Sequence, residues 1–399
     1  MAIPDSKLVD PSDIIQLPLL DFSLTETAEG RQQLANKLEE AFSTLGFVSI
    51  VNHGISIDET EKVRGVAREV CSYPHELQEP YLAGAWTSDA ENRDISPGAE
   101  VGQGYKPRGY WSMQHGTRDA IVHYNFNNIV YSDFGAIPEK YPPPARPHLE
   151  RIGNYYRHVH TSILQRLCDL TDIVLEIPEG TTYDTLYKVV DKDAENSGHG
   201  TGRFMLYHKQ PQEVDQKNDG KWLRGHSDSG GFTFITSQPI LSLQIRDYFT
   251  GKWFYVGHVP GALIVNIGDA MEFLTGGYFK SSIHRVIAPP ADQAAYERLV
   301  LIYFSQPRRS AQLDPEQLNS PKLDRLGHKT PDEWVPITCG QWQNEKGRLF
   351  GQTEVNDSEG DEPNLVVVYG RLHERWHQVN RKFTVEEARK THKVIELKV

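Results

Sequence analysis

The stretch GHSDSGGFTFITSQPILSLQI, residues 225–245, is the most informative part of this chain, because it joins two polar side chains to a run that reads as β-structure. In a β-strand, residues two positions apart point to the same face, so His226 and Asp228 can present an imidazole and a carboxylate to one point in space. This pair is the outline of a metal site. An H-x-D pattern also arises by chance in a chain with 16 histidines, so a metal site needs a third ligand from elsewhere.

Short apolar or alternating runs surround this stretch, separated by Gly, Pro and Asp. Their spacing is typical of a β-sandwich or barrel. We expect at most one helical turn in the gap at residues 271–277. The runs predicted to be strands are FMLYH (204–208), GFTFITS (231–237), LSLQIRD (241–247), WFYVGHV (253–259), ALIVNIGD (262–269), SIHRVIAPP (282–290) and RLVLIYFS (298–305).

The region before these strands predicts flanking helices. Near the N-terminus a strand, a helix and a second strand are expected in that order, followed by a helix that Asp58 can cap. Residues 81–145 are rich in Gly, Pro, Tyr and Asn, and we expect them to be irregular, with a lid-like segment. From Pro147 a helical pattern continues until just before Pro178 and predicts one long amphipathic support helix.

Composition limits the function. The 42 basic and 54 acidic residues give a net charge of −12, which argues against a nucleic-acid surface. Three scattered cysteines suit a reducing compartment, and neither a signal peptide nor a membrane span is indicated, so we expect a cytoplasmic protein. Oligomeric state cannot be predicted from these features.

A third metal ligand should come from a distant strand that a closed roll brings alongside the first. His284 lies 56 residues after Asp228, in such a strand. Two imidazoles and one carboxylate on one side of a metal leave coordination positions free for substrate and dioxygen, as in non-haem Fe(II) centres. Zinc is more often held tetrahedrally by Cys or His.

Arg298 opens the apolar strand RLVLIYFS. Burying an arginine is costly unless it meets an anion, and its planar fork matches a carboxylate at two points. The plainer alternative is a strand-end arginine in solvent or paired with Asp or Glu. Because the same group of predicted strands carries a candidate metal site, we favour the alternative in which Arg298 binds an anion.

Several segments, in the same order along the chain, resemble one enzyme family. They are PLLDFS (18–23), LEEAFSTLGFVSIVNHGI (38–55), H-S-D (226–228), NIGD (266–269), YFKSSIHRV (278–286) and R-x-x-x-I-Y-F (298–304). Together they resemble the 2-oxoglutarate- and Fe(II)-dependent oxygenases of the isopenicillin N synthase-like group, over most of residues 15–310.

The resemblance implies a mainly β protein with flanking helices (α+β), whose core is a double-stranded β-helix, or jelly roll. It implies that His226, Asp228 and His284 hold Fe(II). It further implies that Arg298 grips the distal carboxylate of 2-oxoglutarate and that Tyr207 donates a hydrogen bond to the same group. Relatives usually read R-x-S at the arginine, whereas this chain has Val300, which cannot donate a hydrogen bond.

By this resemblance, the protein is expected to be an oxygenase that uses Fe(II), 2-oxoglutarate and O2 to hydroxylate or desaturate a small organic molecule of secondary metabolism. Succinate and CO2 would be the products of 2-oxoglutarate. Beyond the metal ligands, no acid or base is nominated as a catalytic residue. Two alternatives stay open: an Fe(II)/O2 oxidase that does not use 2-oxoglutarate, for which Val300 leaves room, and a non-catalytic jelly-roll binding protein.

Three regions are expected along the chain. Residues 1–145 would form the N-terminal region with the lid-like segment, residues 146–310 the support helix and jelly-roll core, and residues 311–399 a C-terminal tail with a helix packed on the core. In that tail, residues 371–397 have helical character, with Thr384 as a cap. Candidate substrate contacts are Tyr110, Phe126, Phe232 and Tyr303.

Overall fold

The computed structural model describes residues 5–83, 102–111, 113, 116–131, 138–350, 365–374 and 383–397. The strands of these residues are β1 (Ile14–Ile15), β2 (Leu19–Asp21), β3 (Phe47–Val51), β4 (Gly104–Lys106), β5 (Ile121–Asn127), β6 (His199–Tyr207), β7 (Lys221–His226), β8 (Phe232–Thr236), β9 (Leu243–Arg246), β10 (Trp253–Val256), β11 (Leu263–Ile267), β12 (His284–Ile287), β13 (Arg298–Gln306), β14 (Leu365–Val368), β15 (Arg371–Glu374) and β16 (Val394–Leu397). The α-helices are α1 (Ala28–Thr44), α2 (Ile57–Cys71), α3 (Leu149–His158), α4 (Gln165–Leu175), α5 (Gln212–Lys217), α6 (Asp269–Leu274), α7 (Pro321–Leu326), α8 (Cys339–Phe350) and α9 (Val385–Thr391).

Two sheets build the core. The larger has the order β2-β3-β11-β8-β13-β6-β5-β4, and the smaller has the order β1-β10-β9-β12-β7. Apolar side chains from both sheets meet in one buried cluster, which includes Met205 and Val300 of the larger sheet and Leu243, Ile245 and Val286 of the smaller. The two sheets therefore enclose a common interior, as in a jelly roll, and the predicted fold class is confirmed.

The helices cover the other face of the larger sheet. Alternate residues of its strands, such as Phe204 and Leu301, point away from the interior into a second cluster that contains the apolar stripes of α1, α2, α3 and α4. Because β-strands alternate their side chains, one sheet supplies both the jelly-roll interior and the helix-packing layer. The N-terminal strands β2 and β3 belong to the same sheet as the central strands.

The predicted long support helix is present, with one irregularity. A π-helical turn, Val159–Leu164, separates α3 from α4. It contains His160, which is fully buried: its Nδ1 lies 2.6 Å from the Tyr303 hydroxyl and its Nε2 lies 2.7 Å from the Tyr187 carbonyl oxygen. π-Turns occur as local bulges within α-helices, and this one carries a polar side chain that ties the helix to the sheet.

Predicted strands and helices are largely confirmed, and two local predictions are wrong. The region 81–145, expected to be irregular, contains β4 and the seven-residue strand β5. Ser56, rather than Asp58, caps α2, because its side chain accepts a hydrogen bond from the backbone N–H of Glu59. Within the gap at 271–277 only residues 271–274, the end of α6, are helical, which is about one turn as expected. Residues 84–101 of the lid-like segment lie outside the described residues.

The C-terminal region also differs from expectation. Thr384 does cap α9, in a capping box with Glu387. The flanking residues, however, form a three-stranded sheet in the order β15-β14-β16, so the helical character predicted across 371–397 is wrong for both ends of that range. β14 and β15 form a hairpin with only two residues between them, whereas β14 and β16 pair through residues 29 positions apart, such as Leu365 and Val394. None of the described helices combines the length and the apolar character needed to cross a membrane.

Candidate metal centre

Strand pairing brings the three predicted metal ligands together. His226 is the last residue of β7, and His284 is the first residue of β12. These strands are antiparallel neighbours in the smaller sheet, with His284 directly opposite His226. Asp228 lies in the turn that follows β7, rather than within a strand. The carboxylate therefore reaches the two imidazoles because the chain turns after His226.

The distances between the ligand atoms suit one shared ion. Nε2 of His226 lies 3.7 Å from Oδ1 of Asp228, and Nε2 of His284 lies 3.9 Å from Oδ2 of the same carboxylate. One ligand atom from each of the three residues can be chosen so that all lie within 4.8 Å of one another. Two metal–ligand bonds of about 2.1 Å can span up to about 4.2 Å, so both His–Asp separations are bridgeable.

Hydrogen bonds orient both imidazoles toward this point. Nδ1 of His226 lies 3.0 Å from the Arg224 carbonyl oxygen, and Nδ1 of His284 lies 3.3 Å from the Ser282 carbonyl oxygen. A carbonyl can only accept, so each Nδ1 carries the proton and each Nε2 carries the lone pair that can bind a metal ion. This is the arrangement of metal-binding histidines, which donate their second ring N–H to an outer group. The donor set thus fits a metal ion.

Asp228 is held as a carboxylate. It is 8% exposed, and burial, the largest single influence, raises its pKa, whereas the nearby His284 and His226 lower it. Hydrogen bonds to its Oδ2 from Asn266 (2.9 Å) and Thr233 (2.6 Å) lower it further, and the resulting pKa is about 2. Because Oδ2 already accepts two hydrogen bonds, Oδ1 is the oxygen best placed to bind an ion.

The NIGD segment supports the ligands from behind. Its first residue, Asn266, donates to Asp228 as described, and the backbone N–H of its last residue, Asp269, donates to the Asp228 carbonyl oxygen at 2.7 Å. Gly268 lies so close to the turn that a Cβ on it would meet the Gly230 carbonyl oxygen at 2.3 Å. The sequence reasoning used NIGD only for the family resemblance and missed this supporting role.

The C-terminal helix α8 also reaches the centre. Lys346 donates to Oδ2 of Asp269 at 2.7 Å and to the hydroxyl of Ser227, between two of the ligands, at 2.8 Å. Trp342 donates its indole N–H to the same oxygen of Asp269, and the Ser281 hydroxyl donates to the other oxygen. A buried carboxylate thus links the ligand turn to α8, a connection for which the sequence offered no signal.

Arg298 and Tyr207 lie opposite one another across β13 and β6. The Arg298 guanidinium carbon is 4.4 Å from the centre of the Tyr207 ring, and the Tyr207 hydroxyl donates to Met205 Sδ at 3.3 Å. Arg298 is 5% exposed, yet its Nη1 has no hydrogen-bond partner and no carboxylate pairs with it within the described part of the chain. An unpaired buried guanidinium nitrogen is costly, so this position suits a bound anion.

Val300 occupies the same interior face, two residues further along β13. It is 1% exposed and lies opposite Met205, within the interior apolar cluster.

Three of the aromatic residues expected to contact substrate do not face this interior. Phe126, Phe232 and Tyr303 all pack in the helix-facing cluster, so that expectation is wrong for them. Tyr110 lies beside the interior, with its ring centre 4.9 Å from Lys106 Nζ.

Comparisons with known proteins agree with this geometry. The family model described as the 2OG-Fe(II) oxygenase superfamily matches residues 202–307, which span the three candidate ligands and Arg298. A second model, described as the N-terminal region of non-haem dioxygenases in morphine synthesis, matches residues 17–121.

Among curated proteins, jasmonate-induced oxygenase 4 of Arabidopsis thaliana is 28% identical over 311 residues, which cover 75% of this chain and 75% of the relative. Deacetoxyvindoline 4-hydroxylase of Catharanthus roseus is 24% identical over 275 residues, covering 69% and 60%. Among solved structures, JOX2 in complex with 2OG, Fe and JA superimposes with a TM-score of 0.62 at 24% identity, covering 87% of this chain and 88% of that one. A dioxygenase for auxin oxidation from rice gives a TM-score of 0.60 at 17% identity, covering 84% and 97%. Both structures share the fold of this chain.

Proposed function

The chain belongs to the 2OG-Fe(II) oxygenase superfamily, and on that basis we propose that it uses 2-oxoglutarate and O2 to hydroxylate or desaturate a small organic molecule in secondary metabolism. His226, Asp228 and His284 hold Fe(II) in this proposal. When bound there, the iron supplies O2 activation coupled to conversion of 2-oxoglutarate into succinate and CO2, with oxidation of a substrate C–H bond.

The observation that carries this proposal is the joint orientation of the three ligands. Both Nε2 atoms face one carboxylate, and both Nδ1 protons are already committed to backbone carbonyls. A two-histidine, one-carboxylate set leaves open positions on the metal, which suits a centre that must bind a cosubstrate and O2 together. The protein's own contribution is to hold these three groups in place and to keep the carboxylate ionised.

Arg298 supplies the anion site next to this centre. Its fork can bind a carboxylate at two points, and its Nη1 has no partner among the described residues. Tyr207, opposite it, can turn its hydroxyl from the weak sulfur acceptor Met205 to a carboxylate oxygen. The surrounding residues Met205, Val300 and Ile302 are apolar and exclude water from the gripped group.

The alternative oxidase that does not use 2-oxoglutarate rests on Val300 alone. The valine removes one hydrogen bond, worth about 0.5–1.5 kcal/mol, from the expected carboxylate site. It does not remove the arginine, whose unpaired buried nitrogen calls for a carboxylate. Bound 2-oxoglutarate would satisfy that nitrogen, whereas the oxidase alternative leaves it without a partner.

The test is an anaerobic titration of the Fe(II)-loaded protein with 2-oxoglutarate, followed by admission of O2 in the presence of a metabolite extract. We expect 2-oxoglutarate to bind and succinate to form in step with one product of altered mass. An iron-loaded protein that does not bind 2-oxoglutarate would favour the oxidase instead.

The variant His226→Ala should lose iron and activity while its circular dichroism spectrum is unchanged. If it retained iron and full activity, the ligand assignment would be wrong.

The reaction takes place in the cytoplasm, in our proposal. All three cysteines, Cys71, Cys168 and Cys339, are free and buried. Unpaired cysteines suit a reducing compartment. Expression of a fluorescent fusion, followed by cell fractionation, would locate the protein directly.

A further inference from the structure

A row of side chains crosses four strands of the larger sheet and faces the interior. Val300 of β13 lies opposite Met205 of β6, which lies opposite His123 of β5, which lies opposite Lys106 of β4. Directly opposed residues of antiparallel strands point to the same face. Because Met205 and Val300 belong to the interior apolar cluster, His123 and Lys106 point into the jelly roll as well.

Lys106 and His123 are buried without the partners that such groups need. Lys106 is 4% exposed, and no carboxylate within the described ranges pairs with it. Its Nζ lies 4.9 and 4.5 Å from the ring centres of Tyr110 and Trp111. His123 is 1% exposed, and neither of its ring nitrogens has a hydrogen-bond partner among the described residues. Contact with aromatic faces offsets only a part of the cost of burying a cation.

Arg203 adds a second cation to the same interior. It lies opposite Asn125, to which its Nε donates at 2.7 Å, and its guanidinium carbon lies 4.6 Å from the Phe304 ring centre. No carboxylate forms an ion pair with it in the described part of the chain, although Asp228 is near enough to favour its charged form. Arg203 and Phe304 are each partly exposed.

These groups repel one another. Burial and the charge of Arg203 lower the pKa of Lys106 to about 7, and burial with the charges of Arg203 and Lys106 lowers the pKa of His123 well below its ordinary value. Uncompensated buried cations are unfavourable in a ligand-free protein. Charged groups perturbed in this way mark a candidate functional site.

The metal and its cosubstrate cannot supply the negative charge that would balance Arg203 and Lys106. Fe(II) with Asp228, dianionic 2-oxoglutarate and Arg298 together form a neutral set, which leaves the charges of Arg203 and Lys106 without a counterpart. We propose that the substrate is a small carboxylic acid whose carboxylate is bound by Arg203 and Lys106, with His123 beside it, and whose apolar body packs against Trp111 and Phe304. This inference rests on the proposed function and specifies the substrate class of the same site.

The test measures binding of benzoate and of its neutral analogue benzamide by isothermal titration calorimetry. The full chain is loaded with Mn(II) in place of Fe(II) and saturated with 2-oxoglutarate, so that Arg298 is already occupied. We expect benzoate to bind at least about tenfold more tightly than benzamide, because charge-assisted hydrogen bonds distinguish the two. Equal affinities, or no binding of benzoate, would overturn the proposal.

Variants assign the binding to this cluster. Arg203→Met and Lys106→Met should each weaken benzoate binding by at least about tenfold and change 2-oxoglutarate affinity by less than about threefold. Lys106→Arg should retain benzoate binding, and Lys62→Met, which removes an exposed cation on α2, is the matched control. Unchanged benzoate affinity in both methionine variants would contradict the proposal.

Two further measurements keep the outcomes separate. Thermal unfolding without ligand should show Lys106→Met at least as stable as the parent chain, because the substitution removes an unpaired buried charge. A large loss of stability would instead indicate a structural role for Lys106 and overturn the proposal.

Failure of 2-oxoglutarate to bind would contradict the proposed function alone. The benzoate measurement would then be made in an Arg298→Met background, where binding that still depends on Arg203 and Lys106 supports the substrate class.

Discussion

At position 300, two residues after the arginine proposed to grip 2-oxoglutarate, the chain carries a buried valine. The family resemblance predicts a serine at this position. The valine lies on the interior face of β13, opposite Met205, so a hydroxyl at this position would share the interior with Arg298. Val300 therefore replaces a possible hydrogen-bond donor at the proposed 2-oxoglutarate site, and one substitution can restore it.

Val300→Ser is expected to strengthen 2-oxoglutarate binding about two- to tenfold, because one regained hydrogen bond is worth about 0.5–1.5 kcal/mol. Calorimetry of the Mn(II)-loaded protein measures the effect. Val300→Ala is the control, since it makes similar space without adding a donor. If the serine variant binds 2-oxoglutarate no more tightly than the alanine variant, the hydroxyl has no role in this chain.

Lys106 makes stability depend on pH. Its pKa in the folded protein is about 7, below its ordinary value of 10.5, because burial disfavours the charged amine. Between these two values the unfolded chain binds more protons than the folded chain, so stability rises with pH across that window. For the ligand-free protein we expect Lys106 to contribute a gain on the order of a few kcal/mol from about pH 7 to about pH 10.5.

Urea unfolding at a series of pH values measures this contribution as the difference between the parent chain and Lys106→Met. The parent curve should rise relative to the variant across the window. Parallel curves would show that burial does not lower the pKa of Lys106.

At the level of secondary-structure elements, α8 supports the ligand turn from outside the jelly roll. Lys346 bridges Ser227 and Asp269, and the backbone of Asp269 holds Asp228. Outer groups that orient metal ligands commonly change metal affinity by about 10–100-fold when removed. Lys346 lies 119 residues after Ser227 in the sequence, so this coupling depends on how the helix docks.

Lys346→Met should weaken metal binding by about tenfold, because Asp269 loses its charged partner and the turn that carries Asp228 becomes less rigid. Competition between the protein and a fluorescent chelator for Co(II) measures the affinity. Asn344→Ala, an exposed position of the same helix, is the control and should bind Co(II) as the parent does. Equal Co(II) affinity in both variants would mean that the turn is rigid without α8.

Across the molecule as a whole, a buried ion pair joins the C-terminal sheet to the core. Arg246 of β9 donates to both oxygens of Glu374 of β15, at 3.1 and 2.9 Å, and the two residues are 3% and 9% exposed. Breaking a buried pair leaves an uncompensated charge and costs about 3–5 kcal/mol. The C-terminal region is thereby fixed to the smaller sheet, which carries both metal-binding histidines in our proposal.

Glu374→Gln is expected to destabilise the protein by about 3–5 kcal/mol in urea unfolding, since Arg246 stays buried without its carboxylate. The exposed pair of Arg325 and Glu176 gives the matched control, and Glu176→Gln should cost no more than about 1 kcal/mol. Similar effects of the two substitutions would show that the C-terminal sheet detaches at little cost.

Local patterns predicted a large part of this molecule. Alternating apolar residues predicted most strands of the jelly roll, helical spacing predicted α1, α2 and the support helix, and the sequence pattern nominated His226, Asp228, His284 and Arg298. The strands and helices depend on neighbours in sequence, because side-chain direction in a strand or helix repeats with a fixed period. The ligand set does not, since Asp228 lies in the turn after β7 and His284 comes from a distant strand. Strand predictions failed where the alternation of apolar residues was weak. In β5, the inward-facing residues His123 and Asn125 are polar, so the expected apolar alternation is broken.

The order of the elements, and the identity of the residues able to bind a metal and an anion, can be read from the amino-acid sequence alone. Which residues meet can be read only from the folded chain: His284 opposite His226, α8 against the ligand turn, and Lys106, His123, Met205 and Val300 in one row. Strand pairing joins residues that are far apart along the chain, and burial then changes what their charges require, whereas local periodicity carries information only about near neighbours.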